Sequence, residues 1–317
     1  MTTKPRVLQI GPMAGSPSAQ ERLQAHYTPL ELWKEQDKAA FLAREGKGVR
    51  AIVTTATSGC TAEIMDALPD LEAICSWGVG YETIDIEAAR QRNLLVSNTP
   101  DVLTDCVADL AWGLMLATSR RIALGDRYVR DNKWGQVHGL FPLGSRVSGK
   151  KLGIVGLGRI GEAIARRGLG FDMEVRYHNR RQRDDVDYGY EATLTSLAQW
   201  CDYLVIATVG GPSTRHLISK DVIEALGPQG VIVNISRGPV IDEAALVQAL
   251  VDGKVGGAGL DVFEFEPKVP DALKTFDNVV LLPHVGSATL ETRQSMADVV
   301  FDNLREFFAN GKVVTPV

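Results

Sequence analysis

Residues 152–161 read LGIVGLGRIG, an apolar run followed by three glycines in the spacing GxGxxG. The first glycine permits a tight turn after a strand, the second lets the backbone approach a pyrophosphate, and the third lets the next helix pack closely on the strand. Unpaired N–H groups and the dipole at the start of that helix attract phosphate. The stretch predicts a dinucleotide-binding unit, the alternative being a glycine-rich turn without a ligand. The residues expected to contact the phosphates are Gly156, Gly158, Arg159, Ile160 and Gly161.

Short apolar strands and helical segments alternate on both sides of this stretch. In the second half of the chain, six strands are predicted, at 152–155, 174–178, 203–208, 231–235, 257–261 and 279–282. In the first hundred residues, four strands are predicted, at 7–10, 50–55, 71–75 and 94–97. Strands that are regularly separated by helices form parallel sheets with helices on both faces. We therefore predict an α/β fold with two doubly wound parallel-sheet domains of unequal size.

The two series are joined by a segment with helical periodicity. Apolar residues recur three or four positions apart from Leu103 to Leu114, which predicts one long helix over 101–130. Residues 132–146 contain three glycines and one proline and are expected to form an irregular loop. Helical spacing returns at 290–308, where the last helix is predicted.

The composition limits the classes of protein to which the chain can belong. Its 317 residues correspond to about two domains at roughly 100–200 residues each. The formal net charge of -5, without any block of basic residues, argues against nucleic-acid binding. The sequence has no run of about 18 apolar residues, so no membrane span is predicted. The four cysteines lie far apart without a CxxC pair, so we expect no disulfide framework, no metal site and a cytoplasmic location.

The residues after the second predicted strand of the larger unit indicate which dinucleotide is bound. NAD-binding units carry an acidic residue about 20 residues beyond the glycines, where it accepts hydrogen bonds from the adenosine ribose. Here the position eighteen residues after Gly161 holds Asn179, and Arg180 and Arg181 follow it. Two guanidiniums can pair with a 2′-phosphate, and no carboxylate repels it, so NADP(H) is predicted over NAD(H). The alternative is a solvated charge run, because residues 183–185 add one arginine and two aspartates.

Three polar residues follow predicted strands of the same unit. Arg237 comes after VIVNIS, Glu266 after GLDVFEF, and His284 after VVLLP. Ligands of doubly wound sheets bind at the carboxyl ends of the strands, so these side chains are expected to converge. The set suits the reduction of a 2-oxo acid: Arg237 would bind a carboxylate and polarise the carbonyl, His284 would protonate the carbonyl oxygen, and Glu266 would orient the imidazole and favour its protonated form. Taken singly, each could instead be a structural residue of its loop.

Six motifs resemble those of the D-isomer-specific 2-hydroxyacid dehydrogenase family, and together they extend over most of the chain. They are WGVGYETID (77–85), NTPDVLTDCVADLA (98–111), GLGRIG (156–161), NISRGPVIDEAAL (234–246), GLDVFEFEP (259–267) and LLPHVGSAT (281–289). In this resemblance the family's arginine, glutamate and histidine fall on Arg237, Glu266 and His284, with Glu266 rather than Glu264 as the acid. Asn179 departs from the family's NAD-binding pattern, which has aspartate there.

The resemblance implies further contacts with substrate and cofactor. The N–H groups of Val79 and Gly80 would hold the substrate carboxylate together with Arg237. The implied substrate-binding loop consists of Trp77, Gly78, Val79 and Gly80, beside Arg237 and His284. The implied cofactor contacts outside the glycine loop are Thr104, Thr208, Val209, Ile235, Ser236, Asp261, Gly286 and Ser287.

The resemblance also implies how the two domains share the chain. A Rossmann domain that binds NADP, residues 101–288 with the long linking helix 101–130, would be inserted in a smaller flavodoxin-like substrate domain. That substrate domain would consist of residues 1–100 and 289–317, so it would be discontinuous. Members of the family typically form homodimers through the cofactor domain and the long helix.

Within the family, the chain looks most like the NADPH-dependent glyoxylate/hydroxypyruvate reductases, including the hydroxyphenylpyruvate branch. HNRR (178–181), GPMAG (11–15) and FPLG (141–144) carry this likeness. The sequence predicts an enzyme that reduces small 2-oxo acids (glyoxylate, hydroxypyruvate or phenylpyruvate-like acids) to D-2-hydroxy acids with NADPH. Two alternatives stay open: an NAD-dependent dehydrogenase of the phosphoglycerate or lactate type, and a non-catalytic nucleotide-sensing protein.

Overall fold

The computed structural model describes residues 4–135 and 141–317, which form two compact units. One unit consists of residues 1–103 and 287–317, and the other consists of residues 104–286. The sequence prediction placed these boundaries at 100/101 and 288/289. Of the irregular loop predicted at 132–146, residues 136–140 lie outside the described residues. Within the described ranges, no helix is both long enough and apolar enough to cross a bilayer.

Each unit contains one parallel sheet. The strands are β1 (Arg6–Gln9), β2 (Thr28–Glu31), β3 (Val49–Thr55), β4 (Ala73–Trp77), β5 (Leu95–Ser97), β6 (Lys151–Val155), β7 (Glu174–His178), β8 (Gly189–Tyr190), β9 (Tyr203–Ile206), β10 (Val231–Asn234), β11 (Gly257–Leu260) and β12 (Val279–Leu281). The first sheet has the order β2-β1-β3-β4-β5, and the second has the order β12-β11-β10-β9-β6-β7-β8. All pairings between these strands are parallel. The predicted fold class, two doubly wound parallel sheets, is confirmed.

Helices connect the strands, as parallel pairing requires. They are α1 (Pro17–His26), α2 (Lys38–Glu45), α3 (Ala62–Asp66), α4 (Ile86–Gln91), α5 (Thr104–Ser119), α6 (Ile122–Arg130), α7 (Arg159–Leu169), α8 (Leu194–Trp200), α9 (Lys220–Leu226), α10 (Glu243–Val251) and α11 (Leu290–Asn310). Several begin where an Asp or Thr side chain accepts a backbone N–H of the first turn, which satisfies a donor that the helix leaves unpaired. The capping residues are Asp37, Asp85, Thr193, Asp242 and Thr289.

Each sheet has one strand more than the sequence predicts, and both additional strands lie at sheet edges. β2 reads TPLE, and its proline lacks the N–H that a central strand would need. β8 has only two residues, too few to show an alternating pattern. The central strands, most of whose residues are buried, were all predicted, because burial on both faces demands the apolar runs that make a strand recognisable.

The prediction of a single helix over 101–130 is wrong, because the structure contains two helices there. α5 ends at Ser119, and Arg121 adopts a left-handed conformation with φ of 53° before α6 begins. The Ser119 hydroxyl donates to the carbonyl of Met115, and the Ser119 carbonyl accepts the N–H of Ser145 at 2.8 Å. Arg121 Nε donates to the carbonyl of Leu143 at 3.0 Å. The incoming segment at 143–145 therefore supplies the hydrogen bonds that end α5.

The order of strands in the second sheet reverses beside β6. β6 pairs with β7 on one side and with β9 on the other, so the connections after these strands leave in opposite directions and open a crevice at their carboxyl ends. The backbones meet closely there, since a Cβ added to Gly156 would lie 2.8 Å from backbone atoms of Thr208. The glycine-rich turn is thus built into the crevice in which this class of sheet binds ligands.

Gly161 and Gly158 allow a test of which glycine serves packing and which leaves space for a ligand. A Cβ on Gly161 would lie 2.1 Å from the Gly156 carbonyl oxygen, whereas a Cβ on Gly158 would meet nothing within 4 Å. We expect Gly161→Ala to lower the free energy of unfolding by about 1–3 kcal/mol. Gly158→Ala is the matched control and should leave stability unchanged while weakening dinucleotide binding. Urea unfolding and calorimetric titration measure both effects, and equal stability of the two variants would contradict this assignment.

Candidate active site

A cavity of about 790 Å³ lies at the carboxyl ends of β6, β7 and β9, within the second unit. Its lining residues are Val155, Gly156, Leu157, Gly158, His178, Asn179, Arg180, Arg181, Ala207, Thr208, Val209, Ser213, Thr214 and Leu217. The cavity brings together the glycine loop, the residues after β7 and the loop after β9. Its volume lies in the range of small-molecule and cofactor sites.

The glycine loop has unpaired backbone donors at or near the lining of this cavity. Among the described residues, the N–H groups of Gly158 and Ile160 have no acceptor. They lie at the start of α7, where the helix dipole also favours an anion. The space where a Cβ of Gly158 would stand is open. These features fit the pyrophosphate of a dinucleotide.

Asn179 fixes the shape of the loop. Its Oδ1 accepts the N–H of Leu157 at 2.7 Å, and its carbonyl oxygen accepts the hydroxyl of Tyr190 at 3.3 Å. The amide therefore takes the place of the expected carboxylate without adding a negative charge. A 2′-phosphate bound beside it would meet no carboxylate at this position.

Arg180 and Arg181 are exposed, line the cavity and form no ion pair among the described residues. The acidic residue Asp185, which follows them in the chain, is bound by another guanidinium: Arg183 contacts both of its carboxylate oxygens, at 2.9 and 2.6 Å. The alternative of a solvated charge run stays open for Arg180 and Arg181, because both side chains are exposed, but Asp185 does not neutralise them. Both side chains keep their charge available to a ligand.

The side chains of His284 and Glu266 lie within ion-pair distance of each other at the carboxyl end of the sheet. Nδ1 of His284 lies 2.8 Å from Oε2 of Glu266, and Oε1 of Glu266 accepts the N–H of Phe263 at 3.1 Å. His284 has φ of 55°, and its N–H donates to the carbonyl of Asp261 at 2.8 Å. With Nδ1 bound to the carboxylate, the ring is held in one orientation and Nε2 is left for a substrate.

A buried carboxylate holds the loop on which His284 lies. Asp261 accepts the N–H of Val285 at 2.7 Å through Oδ1 and that of Gly286 at 2.8 Å through Oδ2. Burial raises the pKa of Asp261, and the two backbone N–H groups and nearby His284 oppose that shift. Asp261 and Gly286, which the sequence analysis assigned to the cofactor, are therefore bound to each other in this structure.

Arg237 lies beside Glu266 because their two loops pack backbone against backbone. A Cβ on Gly238 would lie 1.9 Å from the backbone of Phe263, so only glycine permits this contact. Burial alone would raise the pKa of Glu266. The net pKa nevertheless lies below its usual value, because the carboxylate is stabilised by the hydrogen bond and charge of His284, the N–H of Phe263 and the charge of Arg237. The structure thus brings Arg237, Glu266 and His284 together, as the sequence predicts.

The predicted substrate-binding loop follows β4 in the first unit. Gly78 has φ of 147° and exchanges hydrogen bonds with Thr99, at 3.1 Å and 3.0 Å. The amide of Asn98 donates to the carbonyl of Val79 at 2.8 Å. In the part of the chain that the structure describes, the N–H groups of Val79 and Gly80 have no acceptor, so both donors are available to an anion.

Other predicted contacts lie outside the lining of the cavity. Trp77 is buried in the first unit, where the guanidinium of Arg293 lies 4.7 Å from its ring centroid. The predicted cofactor contacts outside the lining are Thr104, Arg159, Ile160, Gly161, Ile235, Ser236, Asp261, Gly286 and Ser287. Ser236 nevertheless touches the lining, since its hydroxyl donates to the carbonyl of Thr208.

The sequence analysis missed part of the lining. His178, Ser213, Thr214 and Leu217 all border the cavity. The segment GGPSTRH (210–216) after β9 carried a usable signal, because glycine, proline and hydroxyl residues at the carboxyl end of a central strand are typical of a ligand-binding turn.

The chain is similar to known dehydrogenases and reductases over nearly its whole length. The family model described as "D-isomer specific 2-hydroxyacid dehydrogenase, NAD binding domain" matches residues 112–286. The chain is 46% identical over 311 residues to a hydroxyphenylpyruvate reductase of Plectranthus scutellarioides, covering 98% of each chain. It is 44% identical to a 2-ketogluconate reductase of Gluconobacter oxydans, covering 100% of both. An NADPH-dependent glyoxylate/hydroxypyruvate reductase of Sinorhizobium meliloti, solved with NADP and malonate, superposes with a TM-score of 0.91 at 40% identity, covering 99% of this chain and 97% of that one.

The lowered pKa of Glu266 predicts how stability depends on pH. Because the pKa in the folded chain lies below the ordinary value of 4.5, the ionised carboxylate stabilises the folded state above that pH. This contribution is lost as the pH falls through the lower, folded-state value. We expect the wild type to lose stability more steeply than Glu266→Gln between pH 5 and about pH 3.

Urea unfolding at successive pH values measures this difference. Glu21→Gln serves as a control, because it removes an exposed carboxylate of α1 far along the chain from the site. If the wild type and Glu266→Gln lose stability in parallel, the ionised Glu266 does not stabilise the fold.

Proposed function

The chain belongs to the D-isomer-specific 2-hydroxyacid dehydrogenase family, and we propose that it is an NADPH-dependent reductase that converts small 2-oxo acids to D-2-hydroxy acids. The observation that carries the proposal is the His284–Glu266 pair, with Nδ1 and Oε2 2.8 Å apart, beside Arg237. These residues and the dinucleotide-sized cavity belong to one unit. Glyoxylate and hydroxypyruvate are the proposed substrates, and phenylpyruvate-like acids come next.

The residues of the chain divide the proposed reaction between them. A reduced nicotinamide, when bound, supplies the hydride to the carbonyl carbon. His284 gives the proton of Nε2 to the carbonyl oxygen, and Glu266 stabilises the imidazolium and fixes the orientation of the ring. Arg237 binds the carboxylate and draws negative charge toward the carbonyl oxygen, which stabilises the charge that develops there.

The backbone donors that follow β4 in the first unit are proposed to bind a substrate carboxylate. The N–H groups of Val79 and Gly80 have no acceptor among the described residues, and a carboxylate accepts such donors readily. A small acid offers little beyond its carboxylate and carbonyl, so these contacts would supply most of its binding free energy. The names of the relatives, which act on glyoxylate, hydroxypyruvate, hydroxyphenylpyruvate or 2-ketogluconate, support 2-oxo acids as the substrate class.

The preference for NADPH rests on the side chains that border the cavity. Arg180 and Arg181 form no ion pair in the described part of the chain, and Asn179 adds no negative charge. A 2′-phosphate carries about two charges and three acceptor oxygens, so two guanidiniums suit it. The structural relative solved with NADP supports the same choice.

We further propose that the protein is a cytoplasmic homodimer. No residue of α6 is buried, although Ile122 and Val129 on it are apolar and more than half exposed, at 54% and 53%. Trp134 and Leu143, nearby in the chain, are 80% and 89% exposed. A surface of this kind suits coverage by a second copy. Among the described residues, none of the four cysteines forms a disulfide, which supports a reducing compartment.

Turnover with a panel of 2-oxo acids tests the proposed reaction. We expect NADPH oxidation to be fastest with glyoxylate and hydroxypyruvate, compared with 4-hydroxyphenylpyruvate and 2-ketogluconate. His284→Ala should lower kcat by about 10²–10⁴-fold, because the proton donor is lost, while the Kd for NADPH changes less than about twofold. Failure of the wild type to reduce any of the acids would refute the proposed reductase activity. Undiminished turnover by the variant would refute the role of His284.

Arg180→Ala tests the cofactor assignment. Removing one charge-assisted contact to the 2′-phosphate should raise the KM for NADPH by about 10- to 100-fold. The KM for NADH should stay within about twofold, since NADH lacks that phosphate. Arg305→Ala, which removes an exposed arginine of α11, is the matched control. An unchanged ratio of the two KM values would remove the assignment of NADPH to these residues.

A further inference from the structure

Arg183 makes more hydrogen bonds than any function assigned so far requires. Its NH1 donates to Oε2 of Glu162 at 2.7 Å and to the carbonyl of Leu157 at 3.0 Å. Its Nε and NH2 donate to the two oxygens of Asp185, at 2.9 and 2.6 Å. One guanidinium therefore holds two carboxylates and one main-chain carbonyl. The hydrogen bond to Arg183 holds the pKa of Asp185 below its usual value.

These contacts lie at the wall of the dinucleotide cavity. Leu157 lines the cavity, and both polar groups of its backbone are held by residues that follow β7. Its N–H donates to Asn179 at 2.7 Å, and its carbonyl accepts from Arg183 at 3.0 Å. The carboxylate of Glu162 is bound to the same NH1 atom, so it lies only a few ångströms from the cavity wall.

A buried tyrosine fixes the backbone of Arg183. Tyr177, which is fully buried in β7, accepts the N–H of Arg183 at 2.8 Å and donates to its carbonyl at 3.3 Å. Both backbone polar groups of Arg183 are therefore bound to a single hydroxyl in the core. A side chain that starts from a fixed backbone loses less entropy when it forms several contacts.

The charges around Arg183 explain why such a fixed guanidinium matters. Without it, Glu162 and Asp185 would be two unneutralised carboxylates beside the cavity that Arg180 and Arg181 line. Carboxylates within about one Debye length, roughly 8–10 Å, both repel a phosphate and compete for the free guanidiniums. Paired with Arg183, the same carboxylates form a group that carries one negative charge fewer.

We propose that Arg183 is a specificity-determining positioning residue: it offsets one of the two negative charges of Glu162 and Asp185, holds both carboxylates and braces Leu157, which leaves Arg180 and Arg181 to bind a 2′-phosphate. This role rests on the proposed preference for NADPH. In this proposal Arg180 and Arg181 contact the 2′-phosphate, and Arg183 reduces the negative charge that competes with it.

Binding of two nucleotides to the full-length protein tests the role without relying on turnover. Adenosine 2′,5′-bisphosphate and adenosine 5′-monophosphate differ only in the 2′-phosphate. By calorimetry, we expect Arg183→Gln to raise the Kd of the bisphosphate about three- to tenfold, from Coulomb repulsion at these distances. The Kd of the monophosphate should change less than twofold. Arg305→Gln removes the same charge from an exposed pair in the other unit and should change neither value.

Two further variants separate charge from shape. Arg183→Lys keeps the positive charge and should retain at least half of the wild-type selectivity. This conservative variant also tests the role if Arg183→Gln folds poorly. Adding Glu162→Gln and Asp185→Asn to Arg183→Gln removes the unpaired carboxylates and should restore the affinity for the bisphosphate to within about twofold of the wild type.

The outcomes distinguish this role from the proposed cofactor preference. If the wild type does not prefer the bisphosphate to the monophosphate, the NADPH assignment fails, and this role fails with it. If the wild type shows the preference but Arg183→Gln keeps it, or weakens both nucleotides equally, only the role of Arg183 is overturned. A selective loss that the triple variant does not restore also overturns it, because neutralisation of the carboxylates is then not the cause.

Discussion

The close contact between the turn after β6 and the start of α7 is the constraint on which the rest of the second unit depends. The Gly161 Cα lies against the Gly156 carbonyl, so close that a Cβ would approach to 2.1 Å of the oxygen. This packing places the start of α7, with its unpaired N–H groups, at the carboxyl edge of the sheet. The crevice between β6 and β9 therefore receives a phosphate-binding helix end, and the arginines after β7 border the same cavity.

A second structural device recurs throughout the site: side-chain oxygens accept backbone N–H groups of the loops and fix their shape. Asn179 does this for Leu157, Asp261 for Val285 and Gly286, and Glu266 for Phe263. Loops at the carboxyl ends of strands have few ladder hydrogen bonds of their own, so these acceptors replace them. Glu266 combines this task with its bond to His284, which explains why one carboxylate affects both the loop and the imidazole.

Much of this arrangement could be predicted from the sequence, and the failures have physical causes. Central strands and the glycine loop were recognisable because burial on both faces and close backbone approach restrict the residues allowed there. Arg237, Glu266 and His284 were identified because each follows such a strand. The break at Arg121 was missed because it depends on hydrogen bonds from residues 143–145, which are distant in sequence. The lining role of Ser213 and Thr214 was missed because hydroxyl residues of a turn commonly bond the turn itself, as Thr214 does by donating to the carbonyl of Val209 at 2.8 Å.

The distribution of charge explains how an acidic protein can bind anions. The chain has a formal net charge of -5, so its overall field opposes a dinucleotide phosphate or a carboxylate, and affinity must arise from local donors. Many arginines are already bound: Arg167 pairs with Asp105 and Asp109, and Arg176 pairs with Glu174 and Glu191. Arg180 and Arg181 differ from them, because among the described residues no carboxylate holds them. Selective pairing, rather than an excess of basic residues, therefore makes this cavity suitable for an anion.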